Sequence, residues 1–183
     1  MMPVATVLPG TADHNMREAG ASWKYLRDPA NYDFRPKAGS PLVDAGAAVK
    51  KSEIPSPVLN FPGLKFEGAA PDIGAYESNA KRYWIPGRRQ GVATTPVPQD
   101  GAENVPLDAD LMFLEAYKCT RHRVMFGTRS SNLKQIAAFK DLSSNVATPQ
   151  KLEKNTQYFW RVDALDSSGR MIEGPVWQFT TGK

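Results

Sequence analysis

The sequence predicts an all-β protein in two parts, and three observations carry that reading. Fifteen prolines and fourteen glycines in 183 residues interrupt the chain too often for long helices. Hydrophobic residues at 41% and charged residues at 23% are ordinary for a folded globular chain and argue against wholesale disorder. From residue 95 onward, short runs alternate apolar and polar residues at period two, the pattern of half-buried strands.

Residues 1–90 read as loop-rich. Pro9-Gly10, Asp28-Pro29, Arg35-Pro36, Ser40-Pro41, Ile54-Pro55-Ser56-Pro57, Phe61-Pro62-Gly63 and Pro86-Gly87 break them repeatedly. Asn15–Arg27 is the exception: Met16, Trp23 and Leu26 predict a turn or two of helix. The large apolar residues here are scattered, which suits a cap over another element better than a core of its own. Residues 81–98 form a junction in which Trp84 and Ile85 are expected to dock, followed by a proline- and threonine-rich extended stretch.

The second part starts near residue 95. Leu111–Ala116 and Arg121–Gly127, separated by Tyr117–Thr120, predict a hairpin-like pair, and Leu133–Phe139 is a weaker strand. Gln157–Leu165 is the clearest strand, with Tyr158, Trp160, Val162 and Ala164 alternating against Phe159, Arg161 and Asp163. Asp166-Ser167-Ser168-Gly169 is a turn, and Val176–Thr181 closes the chain with Trp177 and Phe179 on one face. Several short strands in under 90 residues argue for a small β-sandwich.

Two stretches add a family resemblance. Asp33-Phe34-Arg35-Pro36-Lys37-Ala38-Gly39-Ser40-Pro41-Leu42-Val43-Asp44-Ala45-Gly46 and Pro71-Asp72-Ile73-Gly74-Ala75-Tyr76-Glu77 resemble the end of pectate-lyase-like right-handed parallel β-helix proteins, where such phrases mark the last coils. The run Leu152, Asn155-Thr156-Gln157-Tyr158-Phe159-Trp160-Arg161-Val162-Asp163-Ala164, Gly169 and Trp177-Gln178-Phe179-Thr180-Thr181 resembles the last strands of a fibronectin type III-like domain. Phe113 departs from that pattern, standing where tryptophan is common, an aromatic-for-aromatic exchange. The resemblances imply terminal coils and cap of a right-handed parallel β-helix over residues 1–92, then a fibronectin type III-like β-sandwich over residues 95–183. They further imply a bacterial, secreted or cell-surface parent directed at polysaccharide, with its catalytic coils upstream.

The chemistry is sparse. A net charge of +4 is too small to point to nucleic acid, and basic aromatic RNA motifs are absent. No apolar stretch is long enough to span a membrane. The opening Met1-Met2-Pro3-Val4-Ala5-Thr6-Val7-Leu8-Pro9 lacks the positive flank of a signal peptide, so the chain reads either as cytoplasmic or, the favoured expectation, as a fragment of an exported protein. Cys119 is the only cysteine, so no internal disulfide forms. Cys119 and His122 lack the further ligands or orienting partner that a metal site or nucleophile requires, and His122 is expected to be a packed strand residue. Phosphate-binding glycine loops, nucleophile elbows and zincin motifs are absent.

Two constellations remain. Asp44, Asp72 and Glu77 are either turn-capping carboxylates, with Asp44 and Asp72 each two residues before a glycine and the β-helix resemblance implying a structural place for them, or oxygen ligands for calcium or an acid/base pair. Lys81, Arg82, Tyr83, Trp84, Arg88 and Arg89 combine arginine forks with aromatic rings, the chemistry that suits an acidic polysaccharide, against the plainer reading of a docked connector with solvated charges. The expected function is a non-catalytic accessory region: a solenoid cap that contacts upstream coils, plus a spacer or docking sandwich. The alternatives are a carbohydrate-binding module for acidic glycans, or part of a polysaccharide lyase or glycoside hydrolase.

Overall fold

A computed structural model describes residues 22–47 and 66–183. Every described strand belongs to one of three sheets. Near the N-terminus, a 3-10 turn at Ser22–Tyr25 leads into β1 (Leu26–Asp28). A second such turn, Pro29–Asn31, returns the chain antiparallel as β2 (Asp33–Pro36). Asp28 anchors that return by accepting the Asn31 side-chain N–H at 2.7 Å. The helix expected over Asn15–Arg27 is thus, in its described part, one 3-10 turn followed by strand. Residues 15–21, like the turn signals at Pro9-Gly10 and Ile54 to Gly63, lie outside the described residues. No parallel strand pair occurs among the described residues of this half.

The remaining strands form a two-sheet sandwich. β3 (Thr94–Val97), β5 (Leu111–Leu114) and β8 (Val146–Ala147) make one sheet, with β5 central. The other runs β4 (Ala102–Val105), β11 (Trp177–Thr181), β9 (Gln157–Leu165), β6 (Arg121–Gly127) and β7 (Lys134–Phe139). The short β10 (Met171–Ile172) pairs with the end of β9. Among the described residues only the β4–β11 pair is parallel. Asp166 shapes the β9–β10 turn by accepting the backbone N–H groups of Ser168 and Arg170, each at 2.9 Å.

Alternation decides what faces inward. Tyr158, Trp160 and Val162 of β9 meet Trp177 and Phe179 of β11 in the core, with Leu111 and Phe113 arriving from the facing sheet. The Trp160 and Trp177 rings meet edge to face, 4.8 Å apart. Burying each large side chain contributes about 1.5–3 kcal/mol.

The hairpin expected of Leu111–Ala116 and Arg121–Gly127 does not form. β5 and β6 lie in opposite sheets, and residues 115–120 arch between them. The reason lies in β5, whose four apolar residues are all buried. Leu111 and Phe113 fill the sandwich core, while Met112 and Leu114 join Tyr83, Ile85 and Val97 in a second core on the outer face of the sheet. A strand covered on both faces reads as an unbroken apolar run and needs partners on two sides. The junction supplies the outer one.

Candidate functional site

The seam between the N-terminal segment and the sandwich is built on charge. Asp33 and Arg35, two apart in β2, share one face of the strand. The Arg35 fork donates to Asp33 through Nε (2.9 Å to Oδ1) and Nη2 (2.7 Å to Oδ2), and Nη2 also reaches Asp110 Oδ2 at 2.8 Å. Arg35 is only 2% exposed. Burial works against its positive charge, but Asp33 and Asp110 outweigh that and raise its pKa. Arg27 joins from β1, donating to Asp110 Oδ2 at 3.0 Å, and Thr148 donates to the other Asp110 oxygen at 2.6 Å. Two arginines therefore face two buried carboxylates with the remaining acceptor filled.

A second set of contacts pins the junction. Asn145 behaves like a missing strand. Its Oδ1 accepts from Tyr83 N at 2.8 Å, and its Nδ2 donates to the carbonyls of Tyr83 (2.8 Å) and Phe113 (2.9 Å). Arg82 donates to Glu115 Oε1 at 2.6 Å and to the Leu142 carbonyl, and Arg89 reaches Glu115 Oε2 at 3.3 Å. The buried Glu115 carboxylate thus faces both arginines.

Of the predicted basic-aromatic group, the structure gathers only part. Lys81 and Arg88 are exposed, while Arg82 and Arg89 are engaged with Glu115. Tyr83 is 4% exposed, its ring stacked on Tyr76 with centroids 4.3 Å apart, and its hydroxyl donates to the Tyr32 carbonyl at 2.5 Å. Burial raises the pKa of that phenol. Ile85 docks as expected. Trp84, which was expected to dock beside it, is 70% exposed instead. Residues 83–85 alternate, so Tyr83 and Ile85 take the inward positions and Trp84 is turned out.

Trp84 stands in the wall of an apolar cleft of ≈ 630 Å³, with Tyr32, Phe34, Tyr76 and Pro96 among its other described residues and Thr95, Gln99 and Asp100 contributing polar groups. That volume lies within the roughly 300–1,000 Å³ usual for small-molecule sites. Tyr32 is half exposed, at 50%. Its φ of +67° and the φ of +52° at Thr95 are left-handed, and these are the one aromatic and the one β-branched residue so placed among the described residues. Such backbone is costly for bulky or β-branched side chains and persists only where surrounding contacts hold it. Sequence reasoning did not single out Tyr32, Phe34 or Tyr76 as one site, because they come from separate segments.

Asp44, Asp72 and Glu77 converge on backbone rather than on an open groove. Asp44 Oδ1 accepts from Ala69 N (2.8 Å) and Ala70 N (3.1 Å). Asp72 accepts from Asp44 N (2.8 Å) and Ser78 N (2.6 Å), and Glu77 from Asp72 N (3.2 Å) and Glu67 N (3.4 Å). Asp44 itself sits at φ +54°, where a short acid side chain is tolerated. No cluster of three or more potential metal-binding His, Cys, Asp or Glu side chains occurs among the described residues. Adding calcium or a chelator is accordingly expected to leave the melting temperature unchanged in differential scanning fluorimetry. A calcium-dependent rise would show instead that these carboxylates exchange backbone for metal.

His122 is 1% exposed and accepts the Ala116 N–H through Nε2 at 3.1 Å, which places the proton of the neutral ring on Nδ1. Burial drives its pKa down to about 4; Glu115 opposes this and Arg89 assists. Burial pushes the Cys119 thiol up, helped by Asp166.

Fold and site together define an all-β arrangement of the described residues: a two-sheet sandwich, with an N-terminal segment clamped onto the outer face of its three-stranded sheet and an aromatic cleft beside the clamp. The sequence matches no protein-family model and no curated protein. Among solved structures it is similar to an Fn3-like protein from Clostridium thermocellum, at 17% identity over 52% of this chain and 97% of that one, with a TM-score of 0.40. It is also similar to a β-1,2-glucanase from Parabacteroides distasonis, at 14% identity and a TM-score of 0.39, over 52% of this chain but only 13% of the glucanase. A pectate lyase from Pectobacterium carotovorum aligns over 38% of this chain and 22% of its own, at 18% identity and a TM-score of 0.33. At such scores the likenesses decide nothing about what the chain does. Among the described residues no helix is long and apolar enough to cross a membrane.

Proposed function

We propose that this chain is a non-catalytic accessory region of a secreted, polysaccharide-directed protein. In this reading residues 1–92 cap the end of a β-helix, and residues 95–183 hold that cap as a docking sandwich. The observation that carries it is the buried Asp33–Arg35–Asp110 clamp, which fixes one half on the other instead of leaving a swinging tether. The acids argue the same way. Asp44, Asp72 and Glu77 all accept backbone N–H groups, so they are committed to shaping turns rather than poised as an acid and a base. The test is to incubate the purified chain with a panel of acidic and neutral polysaccharides and measure new reducing ends and unsaturated products. None is expected. Cleavage lost in Asp72→Asn would overturn the accessory reading in favour of a partial lyase or hydrolase.

Glycan binding at the junction is the second reading, favoured by the outward-facing Trp84. An acidic glycan would have to draw on Lys81 and Arg88, since Glu115 already faces Arg82 and Arg89.

A further inference from the structure

We propose that the cleft at Trp84 is a subsite for a neutral sugar, with pyranose faces laid on the rings of Trp84 and Tyr32 and hydroxyls donated to Gln99 and Asp100. This rests on the glycan-binding reading and narrows it.

The charge of the cleft selects the ligand. Among the described residues no lysine or arginine lines it, and Asp100 is their one carboxylate there. The neighbouring Arg82 and Arg89 are drawn to Glu115 instead. Among the described residues, a uronate or sulfated sugar entering here would meet a carboxylate and no compensating cation. A neutral sugar has no such penalty. Asp100 accepts Gln178 N at 2.9 Å through Oδ1, and a carboxylate has capacity for several more donors. Sugar hydroxyls supply those donors. A proline-rich peptide, the other ligand that aromatic grooves take, offers carbonyl acceptors and no N–H at its prolines, so it would leave Asp100 unanswered.

The shape of the cleft is fixed before any ligand arrives. Tyr76 stacks on Tyr83 and donates to the Trp84 carbonyl at 3.0 Å, holding the backbone that turns Trp84 out. Tyr83 ties the opposite wall through the Tyr32 carbonyl and also accepts Phe34 N at 3.1 Å. Two of the left-handed residues, the aromatic Tyr32 and the β-branched Thr95, line this cleft. A wall assembled in advance loses little freedom on binding, which favours a rigid, flat-faced ligand.

The experiment is isothermal titration calorimetry of the full chain with uncharged hexasaccharides of glucose, mannose and xylose, with hexagalacturonate, and with a decaproline peptide. At least one neutral hexasaccharide is expected to bind. Its affinity should fall about tenfold or more in both Trp84→Ala and Tyr32→Ala, the scale of losing one aromatic contact, and hold in Arg88→Ala. Trp84 is largely exposed, so Trp84→Ala is expected to melt with the wild type. Binding of hexagalacturonate alone would overturn the neutral-sugar assignment and leave glycan binding standing. Binding of decaproline alone would make this a peptide groove and overturn both. Neutral binding that neither aromatic variant weakens would remove the cleft as its site. No heat with any titrant would overturn the subsite and the glycan-binding reading together, leaving the accessory reading untouched.

Discussion

Replacing Arg35 with alanine is expected to cost about 3–5 kcal/mol, because it strands Asp33 and Asp110 as buried carboxylates without their main partner. The loss should fall toward the lower figure. Arg27 still lies 3.0 Å from Asp110 and 3.6 Å from Asp33. Arg35→Lys keeps the charge but loses the fork that serves two carboxylates at once, so it should recover part of the stability and not all. Urea denaturation of the three proteins checks both statements. Limited proteolysis adds a spatial readout: cleavage after Arg27 and Lys37 should accelerate in the alanine variant while β9 and β11 stay protected. An alanine variant as stable as wild type would mean that the two halves are held by their other contacts, the apolar packing of Tyr83 and Ile85 with the Asn145, Arg27 and Glu115 bonds, without the Arg35 clamp.

Acid should destabilise the protein through His122. Its folded pKa is lowered to about 4, whereas the unfolded imidazole titrates near 6.5. Between those values the unfolded chain binds the extra proton and the folded chain does not, so stability falls as the pH falls. The loss begins near pH 6.5, is complete near pH 4, and amounts to something on the order of 3 kcal/mol. His122→Gln keeps an acceptor for the Ala116 N–H and removes the titration. Its stability should be lower than wild type at neutral pH but nearly flat across that window. Urea melts at stepped pH decide this: parallel curves for the two proteins would exclude His122 as the source of acid sensitivity.

How much of this the sequence disclosed depends on how local each signal was. β9 was legible because Tyr158, Trp160 and Val162 recur at period two within one segment, and the all-β class follows from such runs. The arch between β5 and β6 was not. An apolar run such as Leu111-Met112-Phe113-Leu114 reads the same whether one face or both are covered, and only the cover reveals that its neighbour lies in the other sheet. The Asp33-Phe34-Arg35 triplet was visible as a family-like phrase, yet its partner Asp110 lies 75 positions away with no local cue. The cleft was hidden for the same reason, since Tyr32, Tyr76 and Trp84 meet only after folding. Trp84 departs from its expected docking for a local reason. A large ring favours burial, but alternation gave the inward places to Tyr83 and Ile85.

The doubly covered β5 also bears on how such a protein can be inherited. A sandwich cut loose near residue 93 would carry Val97, Met112 and Leu114 into water as a sticky apolar face. It could not be shuffled between genes as a self-sufficient bead. Recombination that moves it must bring the stretch from Tyr76 to Ile85 along, or supply a substitute lid, so the breakpoints that leave a soluble product lie well upstream of the first sandwich strand.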